Sequence, residues 1–201
     1  MSDLLALDIE TANFSHEIGG WHNTSMFEPS VVATWDGDKG TIYCNKSLSV
    51  DDTVKALHPR TLGDDLADHI AKGGKILGHN LRSFDLPVLR DALDCWTAGD
   101  ILGKEDAVID TKLLVNKAAL AFGKVDTSLG MLVKQTFADS KLMNSSDAPV
   151  AWRAGKYDEV AKYCLSDAKL TFDLYQFGKS EGYISSRSLE TGKKIDLEVE
   201  W

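Results

Sequence analysis

The sequence predicts an α/β fold, a mixed β-sheet flanked by helices, and three observations predict it. The first quarter of the chain carries short apolar runs with turn residues between the second and third: LLALDIE from Leu4, VVATWD at 31–36 and GTIYCN at 40–45. From about residue 60 onward, helical periodicity alternates with short strand-like runs, the order expected when helices are layered on a sheet. The tail, IDLEVEW, alternates apolar and acidic residues with a period of two, which marks a half-exposed strand.

Each element follows from local signals. Gly37-Asp38-Lys39 suits a hairpin turn between the second and third strands. A helix is expected over 62–72, with Thr61 as its cap and Gly73-Gly74 ending it. KILGHN reads as a short strand leading into a helix over 84–93. AVIDT, at 107–111, is a further strand, and helical segments follow over 112–121 and 128–137. A polar loop, ADSKLMNSSDAP, then crosses to a long helix over 156–177. The tail pairs with YISSRSL across Thr191-Gly192, so that 181–201 forms a C-terminal β-hairpin with Ile195, Leu197, Val199 and Trp201 on one face. Asp196, Glu198 and Glu200 then occupy the solvent face.

At 201 residues and 43% hydrophobic content, the chain is long enough for one well-packed domain spanning 1–201. No run reaches the roughly 18–20 apolar residues of a membrane helix, and the start lacks a basic-then-apolar leader, so a soluble, cytoplasmic protein without a membrane partner is expected. Cys44, Cys95 and Cys164 are scattered and read as buried, reduced thiols rather than zinc ligands. A formal charge of −9 argues against a surface that coats nucleic acid, though not against a small site. Charge is also uneven: 112–156 holds seven basic residues against three acids, whereas 91–110 holds six acids against Lys104. Both segments read equally as ordinary solvated faces.

Asp8 and Glu10 interrupt the first apolar strand. At i and i+2 their side chains share one face, and burying unpaired carboxylates is costly unless a cation compensates. Composition alone yields roughly one Asp-x-Glu in such a chain, and the second, Asp196-x-Glu198, is explained by the tail's polar face. Further oxygen ligands must therefore come from elsewhere. Asp85 follows a short strand at the start of a helix, where it could point over the sheet or simply complement the helix dipole. Tyr163 and Asp167 lie four apart on one helix face, where the bland readings are a core tyrosine and a local ion pair of Asp167 with Lys162 or Lys169.

Taken in order, these pieces are not independent. Asp8-x-Glu10 on a first strand, Asn80 with Phe84-Asp85 after a later one, and Tyr163-x-x-x-Asp167 on a late helix resemble the three motifs of the DEDD superfamily of 3′–5′ exonucleases, whose fold is ribonuclease H-like. The resemblance runs from Leu4 to about Tyr175. GHN…FDLPVL and WRAGKYDEVAKYCLSDAKLTFDLY look like the second and third motifs of the proofreading domains of family B DNA polymerases and of helicase-associated exonucleases. The DEDDh branch places His five residues before the last Asp, where this chain has Lys162; the DEDDy branch places Tyr four before, where it has Tyr163.

The resemblance implies two divalent ions, Mg²⁺ or Mn²⁺, and 5′-mononucleotide products released from single-stranded DNA or RNA 3′ ends, DNA ranked ahead of RNA. It implies that Asp8 bridges both ions, that Glu10 and Asp167 complete the first, and that Asp85 serves the second through water. Tyr163 would orient the attacking water, since a phenol of pKa about 10 is a poor base. The Thr11 backbone would approach the terminal 3′ hydroxyl. Phe14 would stack on the last base, or else be a core or loop residue; Asn80 would contact substrate or cap the helix. Few basic residues near Asp8 predict weak, salt-sensitive, distributive action unless a partner such as a polymerase or helicase delivers the strand.

His16, Glu17 and His22 flank Gly19-Gly20-Trp21 without zinc-protease spacing, and that loop is expected to border the site's mouth. His79 is at most a supporting group beside Asn80. No P-loop, dinucleotide fingerprint or nucleophile elbow occurs. The rival from another class is a noncatalytic nucleic-acid-binding or scaffold module for a polymerase or helicase; a closer rival is an endonuclease of related fold.

Overall fold

The computed structural model describes residues 3–138, 143 and 146–201. Within the expected polar loop, 139–142 and 144–145 lie outside the described residues. Among the described residues the main sheet has six strands. They are β1 (Leu4–Thr11), β2 (Pro29–Trp35), β3 (Gly40–Cys44), β4 (Thr53–Lys55), β5 (Lys75–Gly78) and β6 (Val108–Asp110). Their spatial order is β4-β3-β2-β1-β5-β6. The first three form an antiparallel meander, and β4, β5 and β6 join in parallel to β3, β1 and β5. The sheet is therefore mixed, as the sequence predicts.

Alternation along β1 decides which helix each side chain meets. Leu7 and Ile9 enter a core with Leu62 and Leu66 of α1 (Pro59–Ala71), Leu86 and Leu89 of α2 (Asp85–Asp91), and Ala98 and Ile101 of α3 (Trp96–Leu102). Fully burying Leu62 or Leu66 is worth about 1.5–3 kcal/mol each. After β6 come α4 (Thr111–Ala119), α5 (Leu129–Phe137) and α6 (Ala148–Arg153), which leads into α7 (Tyr157–Glu181). Leu4 and Ala6 pack on Ala168 and Phe172 of α7, on the opposite face of the sheet. Asp8 and Glu10 continue that even-numbered face and so are directed to the α7 side.

Cys164 fixes the helix against the strands. Its buried thiol donates to the Asp8 carbonyl at 3.3 Å and lies 3.9 Å from that of Val31. Burial first, then the neighbouring Asp8, Glu10 and Asp167 carboxylates, raise its pKa, so it stays a thiol. All three cysteines are free and buried, as expected.

The C-terminal hairpin is present as β7 (Tyr183–Arg187) and β8 (Lys194–Glu198), paired antiparallel. Ile184 and Leu197 pack with Val115 of α4, Leu132 of α5 and Leu174 of α7. Trp201 stacks on Tyr175 at 5.2 Å and 8°, over Gly178, where a Cβ would meet the indole at 2.6 Å. No helix among the described residues is long and apolar enough to cross a membrane.

Several boundaries differ from the sequence-based expectation. α1 starts at Pro59, not at residue 62, because proline suits a first helical position and the His58 ring accepts from the Arg60 amide. Thr61 is thus inside the helix rather than its cap. α2 is shorter than 84–93, and α7 runs past 177 to a left-handed Gly182. β4, α3 and α6 were not anticipated; each is only three to seven residues long and carries too little periodicity to read.

Candidate metal centre

The site lies where the parallel part of the sheet runs out. β1 and β5 pair up to Ala6 and Leu77, and β5 ends at Gly78. Beyond that point the Ile9 amide donates to Asp85 Oδ1 at 3.2 Å. Asp85 therefore replaces a neighbouring strand as acceptor, between the two carboxylates of β1. A register shift between Glu10 and Thr11 marks a bulge as β1 leaves the sheet.

Oxygen atoms of Asp8, Glu10 and Asp167 lie within 4.8 Å of one another. Among the described residues this is the group of carboxylate, imidazole or thiol side chains compact enough for a metal ion. Glu10 and Asp167 are buried, and Asp8 is half-buried. An all-carboxylate set of hard oxygen donors fits a hard divalent cation such as Mg²⁺ or Mn²⁺. Asp85 stands outside that trio, with one oxygen committed to Ile9.

All eight sequence-predicted residues line one cleft of about 610 Å³: the four carboxylates, Tyr163, Thr11, Phe14 and Asn80. Tyr163 is wholly buried on α7, one turn before Asp167. Burial first, then Asp167, Glu10 and Asp8, push its phenol upward, so it remains protonated and can donate. Thr11 is buried, its hydroxyl donating to the Asn13 carbonyl. Phe14 is a half-buried loop residue, stacked on His16 at 5.0 Å. Asn80 is not the cap of α2, a position held by Phe84; it turns the chain with φ +76°.

Asp85 is pushed up to about 7, chiefly by burial and further by the nearby Asp110 charge, against the amide hydrogen bonds that lower it. A cation in the cleft would reverse this by favouring the ionised form.

Two contributors escape the sequence reading. Asp110, at the end of β6, accepts from the Asn80, Arg82, Lys112 and Leu113 amides at 2.9–3.4 Å and so fixes the loop that carries Asn80. Its position between an apolar run and Thr111, as a helix N-cap, is the signal that would have found it. Arg153 of α6 donates to the Ala12 carbonyl at 2.9 Å and to both Glu17 oxygens at 2.6 and 2.7 Å, and lies 5.5 Å from the Phe14 ring. Trp21 lines the cleft with 65% of its surface exposed. The Gly19-Gly20-Trp21 loop thus borders the cleft, as expected.

Fold and site together define a class: a mixed α/β protein with an acidic cleft, able to hold metal, at the carboxyl ends of its parallel strands. No protein-family model and no curated protein sequence matches the chain. Among solved structures it is similar to the family B DNA polymerase from the hyperthermophilic archaeon Pyrobaculum calidifontis, with a TM-score of 0.61 and 15% identity over 87% of this chain. The match covers 24% of the polymerase chain, so this protein spans about a quarter of that neighbour's length. At this identity the likeness is one of fold.

Proposed function

We propose that the chain is a metal-dependent 3′–5′ exonuclease domain, residues 1–201, that shortens single-stranded nucleic acid and releases nucleoside 5′-monophosphates, with DNA ranked ahead of RNA. One observation carries this reading. Asp8, Glu10 and Asp167, from the first and third motifs, bring their oxygens within 4.8 Å, in the cleft that Asp85 and Tyr163 also line. The motif-level resemblance to proofreading domains and the shared fold with a family B DNA polymerase point the same way.

Asp8, Glu10 and Asp167 would hold one divalent cation, and Asp85 together with Asp8 would serve a second. Bound there, the ions would neutralise the anionic phosphodiester and lower the barrier to attack by water. The protein's own part is positional. Tyr163, kept protonated by its surroundings, would donate a hydrogen bond that aims the water. Thr11 and Phe14, on the segment leaving β1, would receive the terminal sugar and base. Asn80, held by Asp110, would face the strand from the opposite loop. Lys112 is the single lysine or arginine among the described residues lining the cleft, which supports weak, distributive action.

A 5′-labelled single-stranded DNA and a matched RNA, incubated with Mg²⁺, Mn²⁺ or EDTA, test the reading. A metal-dependent ladder shortening from the 3′ end is expected, abolished in Asp8→Ala and reduced about 10- to 100-fold in Tyr163→Phe. Intact substrate with retained binding would replace the exonuclease with a scaffold serving a polymerase or helicase. Internal cuts would indicate an endonuclease.

A further inference from the structure

Trp21 stands on the wall of the cleft that the four carboxylates line, with 65% of the residue open to solvent. Its loop is fixed rather than loose. Thr24 hydrogen-bonds Asp91 of α2, Asn23 donates to the Ile18 carbonyl at 2.6 Å, and the Asn13 side chain bridges the Met26 carbonyl and the Glu28 amide. Gly19 and Gly20, at φ +82° and +125°, turn the chain immediately before Trp21. Behind it, Trp21 leans on Phe27 at 5.9 Å and on Phe84 at 5.3 Å, and these two rings meet edge to face at 5.2 Å. Phe84 is the residue before Asp85. The aromatic support and a candidate metal carboxylate therefore share one turn of backbone.

We infer that Trp21 is a base-stacking platform for the single strand, gripping an unpaired nucleobase near the 3′ end while Phe14 offers a second aromatic surface in the same cleft. The inference rests on the exonuclease reading for the identity of the ligand. Its chemistry is independent of base sequence, since every base has a π-face, and one such stack contributes about a tenfold gain in affinity. It also explains how a cleft with one lysine among its described lining residues holds an anionic strand: apolar stacking substitutes for phosphate contacts. A base inside a duplex is stacked on both faces, so the platform favours an unpaired strand. A rigid platform gains further because no loop must be ordered on binding.

The test uses fluorescein-labelled (dT)12 and the same oligomer with abasic 3′-terminal nucleotides, with binding read by anisotropy in EDTA. Trp21→Ala is expected to weaken binding of (dT)12 about tenfold, Trp21→Phe by no more than about threefold, and neither to change binding of the abasic oligomer. Equal affinity of Trp21→Ala and wild type for (dT)12 would overturn the inference. So would an equal loss on the abasic oligomer, which would mean a general distortion of the cleft. Shortening assays with Mg²⁺ separate the two readings. Wild-type digestion with no Trp21 effect on binding sinks the platform alone; a Trp21-dependent grip without digestion sinks the exonuclease alone.

Discussion

At the residue scale, Asp85 carries a conflict between stability and chemistry. Its carboxyl is raised from an ordinary aspartate value to about 7, so ionisation is disfavoured in the metal-free fold. For an acid raised on folding, the contribution has a definite sign: metal-free stability falls as pH climbs from about 4 through 7, while the unfolded chain has already released its proton. Asp85→Asn keeps an acceptor for the Ile9 amide and removes the charge. In EDTA at pH 8 it is expected to stabilise the protein by on the order of 1–2 kcal/mol, about 3–8 °C in Tm, and to reduce Mg²⁺-dependent activity about 10- to 100-fold. Thermal melts at pH 5 and pH 8 check it, since the gain should shrink at pH 5. An unchanged Tm at pH 8 would mean the buried carboxylate costs the fold nothing.

At the scale of elements, helix α6 lines the cleft with Pro149 and ties down its rim with Arg153. Arg153 ties the turn after β1 by three hydrogen bonds and faces the Phe14 ring. Glu17 is held down to about 2, first by its hydrogen bond to Arg153 and then by that from the Phe14 amide. A lowered acid gives its contribution above its unfolded value and loses it only as pH falls toward 2, so the tie is intact across neutral pH. Arg153→Gln should raise KM about three- to tenfold with kcat little changed, equally at pH 6 and pH 9. A kcat loss with KM unchanged would move Arg153 out of a positioning role. This tie also shows where sequence reading stops. Asp8 with Glu10, and Tyr163 with Asp167, are legible because strand and helix periods place each pair on one face. Arg153 with Glu17 and Asp110 with Asn80 are not, because they join segments 136 and 30 residues apart through side chains whose types are common on any surface. α6 itself, APVAWR, is too short to announce a helix.

Across the whole molecule, the packing that stabilises the tail meets the cleft at Leu129 of α5, which belongs to both. The hairpin was legible from its strict alternation and its turn, and its apolar face does cover α4, α5 and α7. Its residues do not line the cleft. Leu197, fully buried, is therefore a clean probe: Leu197→Ala should cost about 2–4 kcal/mol in denaturant unfolding while activity per folded molecule at 20 °C stays within about twofold of wild type. A parallel loss of activity would mean that the hairpin supports the cleft through α5 or α7. β1 allows no such separation. Its odd residues belong to the core with α1–α3 and its even residues to the side where Asp167 waits, so fold and chemistry are written in the same phase of one strand. A single residue inserted between Leu7 and Asp8 would turn both carboxylates into the leucine core and Ile9 toward the candidate cation site. Such an error could not be repaired by substitution at either face, and drift in this strand is confined to replacing residues, never to adding or removing one.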